Sequence, residues 1–237
     1  MTTVNTIELF QKQGGKFLVN NEILLKKINQ IKAIIFDWDG VFHSGYKNEN
    51  QSSSFSEADS MGVNMLRFAY YLKQNKTIPY TAIIIGEHNK TAFYWAKREH
   101  LNDVFFKIKD KVEILNWLKE HRNINENEVL FVFDDILDLS MAKACGIRYL
   151  INRNSSALLQ QFCIENKLCD YISANDGGNH AVREISELTI GILGNWNTVL
   201  NERIKFNDAY KPYITQRQTI ETKFYTIENG VVVSTEK

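Results

Sequence analysis

The chain has 237 residues, of which 44% are hydrophobic and 24% charged, and this composition fits one globular domain with an ample core and room for extensions. Its 28 lysines and arginines balance its 28 aspartates and glutamates, so no overall basic field attracts nucleic acid or a membrane. The apolar runs are too short for a membrane helix and the polar start lacks signal-peptide features, so we expect a cytoplasmic protein. The three cysteines have no metal-binding spacing and are expected to be reduced.

The N-terminal half begins with little periodicity, and apolar residues at roughly helical spacing then predict a short helix over residues 21–30. Residues 33–36 form an uninterrupted β-branched and aromatic run, which is typical of a strand buried on both faces of a parallel sheet. Residues 41–55 predict a β-hairpin flap, and a helix follows over residues 61–73. Only about twenty residues separate the first strand from that helix, which leaves no room for a folded cap domain.

Strands and helices then alternate along the chain. Strands are predicted at residues 81–86, 104–106, 129–133, 148–151 and 170–172, and helices at 89–100, 110–121, 137–145 and 155–166. This alternation predicts an α/β fold with a doubly wound parallel sheet and right-handed crossovers.

The C-terminal part follows a different pattern. A helix is predicted from residue 184 to about residue 200, an irregular stretch follows, and Asn229-Gly230 between β-prone runs predicts a hairpin within residues 221–234. We therefore divide the chain into an N-terminal extension (residues 1–30), a core (31–188) and a C-terminal extension (189–237).

Two carboxylates follow the first predicted strand. Asp37 and Asp39 are two residues apart, so both can face one pocket if the extended backbone continues. One carboxylate can accept a phosphoryl group while the other moves protons, and the pair also suits Mg²⁺, which prefers oxygen ligands. The alternative is an acidic turn after a core strand. Gly86 and Asp134 are also expected at the carboxyl ends of strands, the edge where open α/β sheets bind ligands.

The order of these motifs is more specific than any one of them. Asp37-x-Asp39-Gly40, a glycine after the second strand, Lys111 opening a helix after the third, and Asp134-Asp135-x-x-Asp138 after the fourth resemble the haloacid dehalogenase (HAD) superfamily of phosphatases. Within it, the chain is similar to the small capless enzymes typified by 3-deoxy-D-manno-octulosonate 8-phosphate phosphatase, and to the phosphatase-like domain of some acylneuraminate cytidylyltransferases. The segments Asp59-Ser60-Met61-Gly62 and Gly177-Gly178-Asn179-His180-Ala181-Val182-Arg183-Glu184 also carry this resemblance, which covers roughly residues 31–188.

The resemblance implies a Mg²⁺-dependent phosphatase for a phosphorylated sugar or sugar acid, with a Rossmann-like HAD fold. Asp37 would be the nucleophile, Asp39 the general acid and base, and Lys111 the cation that neutralises the phosphoryl oxygens. The family assembles as a homo-oligomer, usually a tetramer, in which a neighbour helps to close each site. The implied metal ligands are Asp37, the carbonyl of Asp39 and Asp134, with Asp135 and Asp138 in a second layer; Gly86, Asp59, Gly177, Gly178 and Arg183 would lie on the substrate side or at an interface.

Residue-level alternatives remain for several of these positions. Asp135 and Asp138 are also typical helix-start acids, and Lys111 belongs to an alternating basic stretch that is ordinarily a solvated face.

Three positions on the phosphate side depart from the family pattern. Ile85 and Glu87 flank Gly86 where the family has threonine and arginine, and Phe133 replaces a glycine before the acidic pair. These departures leave open a second hypothesis, a catalytically impaired binding or assembly module that keeps the fold. A phosphomutase is disfavoured, because such enzymes shield the aspartyl-phosphate from water with a cap.

Overall fold

The computed structural model describes residues 3–50, 52–206 and 208–236. The strands within this part of the chain are β1 (Lys16–Phe17), β2 (Ala33–Asp37), β3 (Tyr80–Ile85), β4 (Asp103–Phe106), β5 (Val129–Phe133), β6 (Ile147–Asn152), β7 (Tyr171–Asp176), β8 (Lys223–Glu228) and β9 (Val231–Thr235). The helices are α1 (Thr3–Lys12), α2 (Asn21–Ile28), α3 (Glu57–Lys73), α4 (Lys90–Arg98), α5 (Val112–Arg122), α6 (Leu139–Ala144), α7 (Ala157–Glu165), α8 (Ala181–Ile192), α9 (Trp196–Lys205) and α10 (Tyr210–Gln218). Short 3₁₀ turns span Glu126–Glu128 and Ile136–Asp138.

All of these strands belong to one sheet with the order β1-β7-β6-β5-β2-β3-β4-β8-β9. The inner pairs are parallel, and only the outermost pairs, β1 with β7 and β8 with β9, are antiparallel. This confirms the predicted α/β fold with a mainly parallel sheet. The described residues contain no cap domain, as predicted, and none of their helices is long and apolar enough to cross a membrane.

The core lies on both faces of the sheet. In β2, Ile34 and Phe36 pack into one apolar cluster with α3, α4 and α8, whereas Ala33 and Ile35 pack into a second cluster with α5, α6 and α7. Successive side chains on a strand point to opposite faces, so a strand covered on both faces is apolar at every position. This explains why β2 and β5 carry no alternating pattern.

The predicted hairpin flap over residues 41–55 is wrong in the described part of that segment. Only an isolated bridge between Asp39 and His43 forms there, and the remaining described residues are turns and irregular backbone. The reason is packing: Phe42 lies 4.7 Å from Trp38 and 4.5 Å from Trp95 between ring centroids, and these side chains are buried. The start of the segment is therefore held in the core instead of extending as a strand.

The terminal regions contain more structure than the sequence predicted. Helix α1 forms in the stretch that showed little periodicity, and α10 forms in the stretch expected to be irregular. The single helix predicted to residue 200 is two helices, α8 and α9, separated around Gly194, whose φ of +74° interrupts helical geometry. The C-terminal hairpin is confirmed, with Asn229 and Gly230 both at positive φ.

Both termini also join the main sheet. Strand β1 pairs with β7 at one edge, and β8 pairs in parallel with β4 near the other, so the C-terminal hairpin extends the sheet.

Asp170, just before β7, connects the N-terminal helix α2 to the sheet. Its buried carboxylate accepts hydrogen bonds from Lys27 Nζ at 2.7 Å and from Arg148 Nε and Nη2 at 3.0 and 2.8 Å. Burial alone would raise the pKa of Asp170, but the two cations hold it below its ordinary value. Ionised Asp170 therefore favours the folded state.

We predict that Asp170→Asn lowers the free energy of unfolding by about 3 kcal/mol at pH 7, because it leaves the Arg148 and Lys27 charges without their counterion. The native pKa lies below the unfolded value, so this contribution is complete above about pH 4 and is lost as the pH falls through the native pKa. Urea unfolding at several pH values measures the effect, with Asp208→Asn at an exposed position as the control. Equal stability of the two variants at pH 7 would contradict the prediction.

Candidate active site

A cleft of about 580 Å³ opens at the carboxyl edge of the parallel sheet. It lies where β2, β3, β5 and β6 end, because parallel strands direct all of their carboxyl ends to the same edge. The residues that line it are Asp37, Asp39, Gly45, Lys47, Gly86, Glu87, Ile108, Lys109, Lys111, Asp134, Asp135, Leu137, Asp138 and Arg153. The cleft thus collects acidic and basic side chains from distant parts of the chain.

Three buried carboxylates meet at the floor of this cleft. One oxygen from each of Asp37, Asp134 and Asp138 lies within 4.8 Å of the other two. Carboxylate oxygens are the ligands that hard divalent cations prefer, so this donor set fits Mg²⁺. Asp138, expected in a second layer, is part of this acidic triad, whereas the side chain of Asp39 is outside it.

Lys111 connects two members of the triad. It lies immediately before α5, and its buried ammonium donates to Asp37 at 2.5 Å and also to Asp138. Burial alone would lower the pKa of Lys111, but the charges of Asp37 and Asp138 raise it, so the side chain stays protonated. The solvated alternative for Lys111 is thus wrong: a charge that sequence reasoning could assign to the surface is buried between two acids.

The triad carboxylates carry perturbed acidities. Burial raises the pKa of Asp37 well above its ordinary value, opposed by the charge of Lys111. Burial and the neighbouring Asp138 charge raise the pKa of Asp134 to about 7, although the Arg153 charge acts in the opposite direction. Such shifts arise when several like charges share a buried space, and a divalent cation would reverse them.

Asp39 has a different environment. It is half-buried, and its carboxylate accepts from His43 Nε2 at 3.0 Å and from Lys47 Nζ at 2.6 Å. The Nδ1 of His43 accepts from the Gly45 amide at 3.2 Å, which assigns the proton of a neutral ring to Nε2. Burial would raise the pKa of Asp39, but these two contacts lower it below its ordinary value. The structure therefore favours ionised Asp39.

Arg153, immediately after β6, contacts the member of the triad that Lys111 does not. Its Nη2 contacts Asp134, and its Nη1 lies 3.7 Å from Asp135. Asp135 is exposed and caps the following 3₁₀ turn through the Ile136 amide at 2.8 Å, while Asp138 accepts from the Asp135 amide at 3.1 Å. Both acids therefore have the helix-start contacts that sequence reasoning offered as an alternative.

The positions that depart from the family pattern fall into two groups. Ile85 and Phe133 are buried in the apolar clusters and do not line the cleft. Gly86 and Glu87 are exposed and do line it. The phosphate side of the cleft thus has a carboxylate and no side-chain hydroxyl at these positions.

Several proteins of known structure are similar to this chain. No protein-family model matches it. A protein described as a HAD superfamily (subfamily III A) hydrolase from Legionella pneumophila is 23% identical, with a TM-score of 0.64 over 78% of this chain and 95% of that one. One assigned to the YrbI phosphatase family, from Pseudomonas syringae pv. phaseolica, is 26% identical, with a TM-score of 0.64 over 77% and 98% of the two chains.

A third similar structure carries ligands. It is the 3-deoxy-D-manno-octulosonate 8-phosphate (KDO 8-phosphate) phosphatase from Moraxella catarrhalis, in complex with a magnesium ion, a phosphate ion and KDO. It is 24% identical, with a TM-score of 0.63 over 80% of this chain and 100% of that one. The chain has the fold of the capless HAD phosphatases. The resemblance recognised in the sequence is confirmed at this level.

The remaining positions that the resemblance suggested do not line the cleft. Asp59, near the start of α3, is buried and accepts from the Arg183 amide at 2.8 Å. The Arg183 side chain bonds Glu187 and faces a separate small groove with Met61 and Trp196. Asp59 and Arg183 thus join α3 to α8, and neither lines the cleft.

Gly177 and Gly178, between β7 and α8, pack against the backbone of the loop that follows Asp39. A Cβ at Gly177 would lie 1.8 Å from the Gly40 carbonyl oxygen, and one at Gly178 would lie 2.8 Å from the Ser44 amide nitrogen. Only glycine allows so close an approach of two backbones. These glycines therefore position the β2 loop of this HAD fold.

Sequence reasoning did not select three side chains that the structure brings to the cleft: His43, Lys47 and Arg153. Arg153 had a usable signal, because it lies two residues after the strand predicted at 148–151, whose carboxyl end faces the site. His43 and Lys47 had none, since they lie in the irregular segment after β2, where no periodicity fixes their direction.

We predict that Gly177→Ala lowers the free energy of unfolding by about 2 kcal/mol, because the new methyl group collides with backbone that cannot rotate away. Gly86→Ala is the matched control, since an added Cβ there meets no atom within 4 Å. Urea unfolding of both variants measures the difference. A Gly177→Ala protein as stable as Gly86→Ala would show that the two loops are not held in this contact.

Proposed function

We propose that this chain is a Mg²⁺-dependent phosphomonoesterase that acts through an aspartyl-phosphate on Asp37. The observation that carries the proposal is the buried contact between Asp37 and Lys111 at 2.5 Å, beside Asp134 and Asp138, at the carboxyl edge of a HAD-type sheet. Burial raises the pKa of Asp37, but the fixed ammonium and the charge of a bound Mg²⁺ would favour its ionised form, which can attack phosphorus. The same ammonium lies where negative charge grows on the phosphoryl oxygens.

The proposed reaction has two displacements. An oxygen of Asp37 attacks the phosphorus, the ester bond breaks, and the leaving alkoxide receives a proton from Asp39, which must first take up that proton from solvent because the free site favours its ionised form. Water then attacks the phosphorus of the aspartyl-phosphate, its proton passes to Asp39, and inorganic phosphate leaves Asp37 free again. His43 and Lys47 stabilise the ionised Asp39 that the second displacement requires.

The acidic triad supports a proposal for the metal ligands. Asp37 and Asp134, with the carbonyl of Asp39, would hold Mg²⁺, and Asp138 would orient Lys111 and the Asp134–Asp135 backbone. When bound, the ion supplies positive charge that neutralises the phosphoryl oxygens. The carboxylate donors fit such an ion.

The substrate class that we propose is a phosphorylated sugar or sugar acid. Support comes from the similar phosphatase that holds magnesium, phosphate and KDO. Lys47, Lys109 and Arg153 also line this cleft, and cations there suit an anionic substrate. The tetramer expected from the resemblance stays a prediction. Ile136 and Leu137 are exposed apolar side chains beside the cleft, and a neighbouring subunit would cover them in such an assembly.

A second candidate function is a binding or assembly module without turnover. Glu87 favours it, because this carboxylate lines the cleft and repels a phosphate group. Tight binding of a sugar phosphate without phosphate release would support the module over the enzyme.

We predict that the purified protein releases phosphate from at least one member of a panel of sugar and sugar-acid phosphates, only with Mg²⁺. Asp37→Asn should lower the rate by more than about a thousandfold, because an amide cannot serve as the nucleophile. Asp110→Asn is the control, since Asp110 is exposed and outside the cleft. Release that survives Asp37→Asn would contradict the aspartyl-phosphate, and no release from any ester by folded protein would favour the binding module.

We also predict that Glu87→Gln lowers KM for the preferred ester by about threefold to tenfold and changes kcat less. The substitution removes a negative charge from the cleft, which weakens repulsion of the bound phosphate throughout the reaction. Steady-state kinetics at low salt measure the effect, with Glu165→Gln as the control, since Glu165 on α7 is exposed and does not line the cleft. An unchanged KM would show that the Glu87 carboxylate points away from the substrate.

A further inference from the structure

The Arg153 guanidinium contacts one proposed metal ligand and lies beside the loop that contains another. Its Nη2 contacts the Oδ2 atom of Asp134, and the same two atoms crowd the position where a Cβ on Gly40 would lie. Gly40 follows Asp39, whose carbonyl is a proposed metal ligand. The guanidinium therefore lies against both the Asp134 carboxylate and the backbone of the β2 loop.

The charges of the triad are divided between two protein cations. Lys111 pairs with Asp37 and Asp138, and Arg153 pairs with Asp134, the third member. Each triad carboxylate thus has a cationic partner from the chain itself.

We propose that Arg153 competes with the divalent cation for Asp134, so that metal binding requires the guanidinium to move away. The inference rests on the metal site of the proposed function. Two positive centres at one carboxylate repel each other strongly in a partly buried cleft. The Arg153 side chain can leave, because it is about one-third exposed (34%) and extends from the end of β6 at the cleft wall.

The contact between Arg153 and Asp134 also allows the opposite role, in which Arg153 assists metal binding. The direction in which metal affinity changes when Arg153 is replaced therefore tests the inference. An arginine that hydrogen-bonds a ligating carboxylate can orient it for the metal, and its removal would then weaken metal binding. A competing arginine predicts the reverse, because its removal frees Asp134 and lowers the positive charge of the site.

The experiment is titration calorimetry of MgCl₂ into the full-length protein, at fixed pH and ionic strength, for wild type and Arg153→Gln. Lys47→Gln is the matched control: it removes one positive charge from the same cleft, but Lys47 pairs with Asp39 instead of the triad. Asp134→Asn identifies the heat that belongs to this site. Arg153→Ala is a second charge-removing variant in case Arg153→Gln does not fold.

We expect Arg153→Gln to bind Mg²⁺ about tenfold more tightly than wild type, and Lys47→Gln to stay within about threefold of it. Unchanged or weaker binding by the Arg153 variants would overturn the inference, as would an equal gain in Lys47→Gln or the absence of Mg²⁺ binding in every variant. Tighter Mg²⁺ binding by Arg153→Gln, together with a wild-type protein that releases no phosphate from any ester, would support the inference and contradict the proposed function.

Discussion

Strand β2 is hydrogen-bonded in parallel to β3 on one side and to β5 on the other, and the positions of Asp37, Gly86 and Asp134 in the cleft depend on that pairing. The register places Asp37 at the end of β2 opposite Ile84, while β5 ends one residue before Asp134. Because both faces of these strands are covered by helices, their apolar residues fix the register firmly. The register therefore brings Asp37 and Asp134, which lie at the ends of these strands, close together.

Convergence of acids in a buried place has an electrostatic cost, which the chain offsets with its own cations. Asp37 and Asp138 share Lys111, and Asp134 contacts Arg153. Removing such groups from water is favourable only when their charges are compensated. In the proposed competition, the Arg153 contact that compensates the Asp134 charge in the folded chain would oppose the entry of a divalent cation.

The two ends of the sheet are formed by the terminal regions. Strand β1 closes one edge in antiparallel fashion, and the β8–β9 hairpin closes the other. Strands at both margins reverse direction, which leaves the parallel core without a long parallel edge strand exposed to other chains. At the N-terminal side, Asp170 links α2 to this sheet through Lys27 and Arg148, so the terminal region is held by charge as well as by packing.

The sequence alone determined the α/β fold, the strand ends and the acids that follow them, because these features rest on local patterns: apolar runs, helical spacing and short motifs. It also determined the C-terminal turn, since Asn229-Gly230 accepts positive φ without strain. Helix α1 was not predicted because its stretch shows little periodicity. The break between α8 and α9 was not predicted either, although Gly194, with its φ of +74°, was a local signal for it. The tertiary structure alone decided that Arg153 contacts Asp134, that His43 and Lys47 bond Asp39, and that Asp59 contacts Arg183 outside the cleft. No sequence periodicity fixes the direction of a long polar side chain. Its direction is fixed by the partners that folding brings near it.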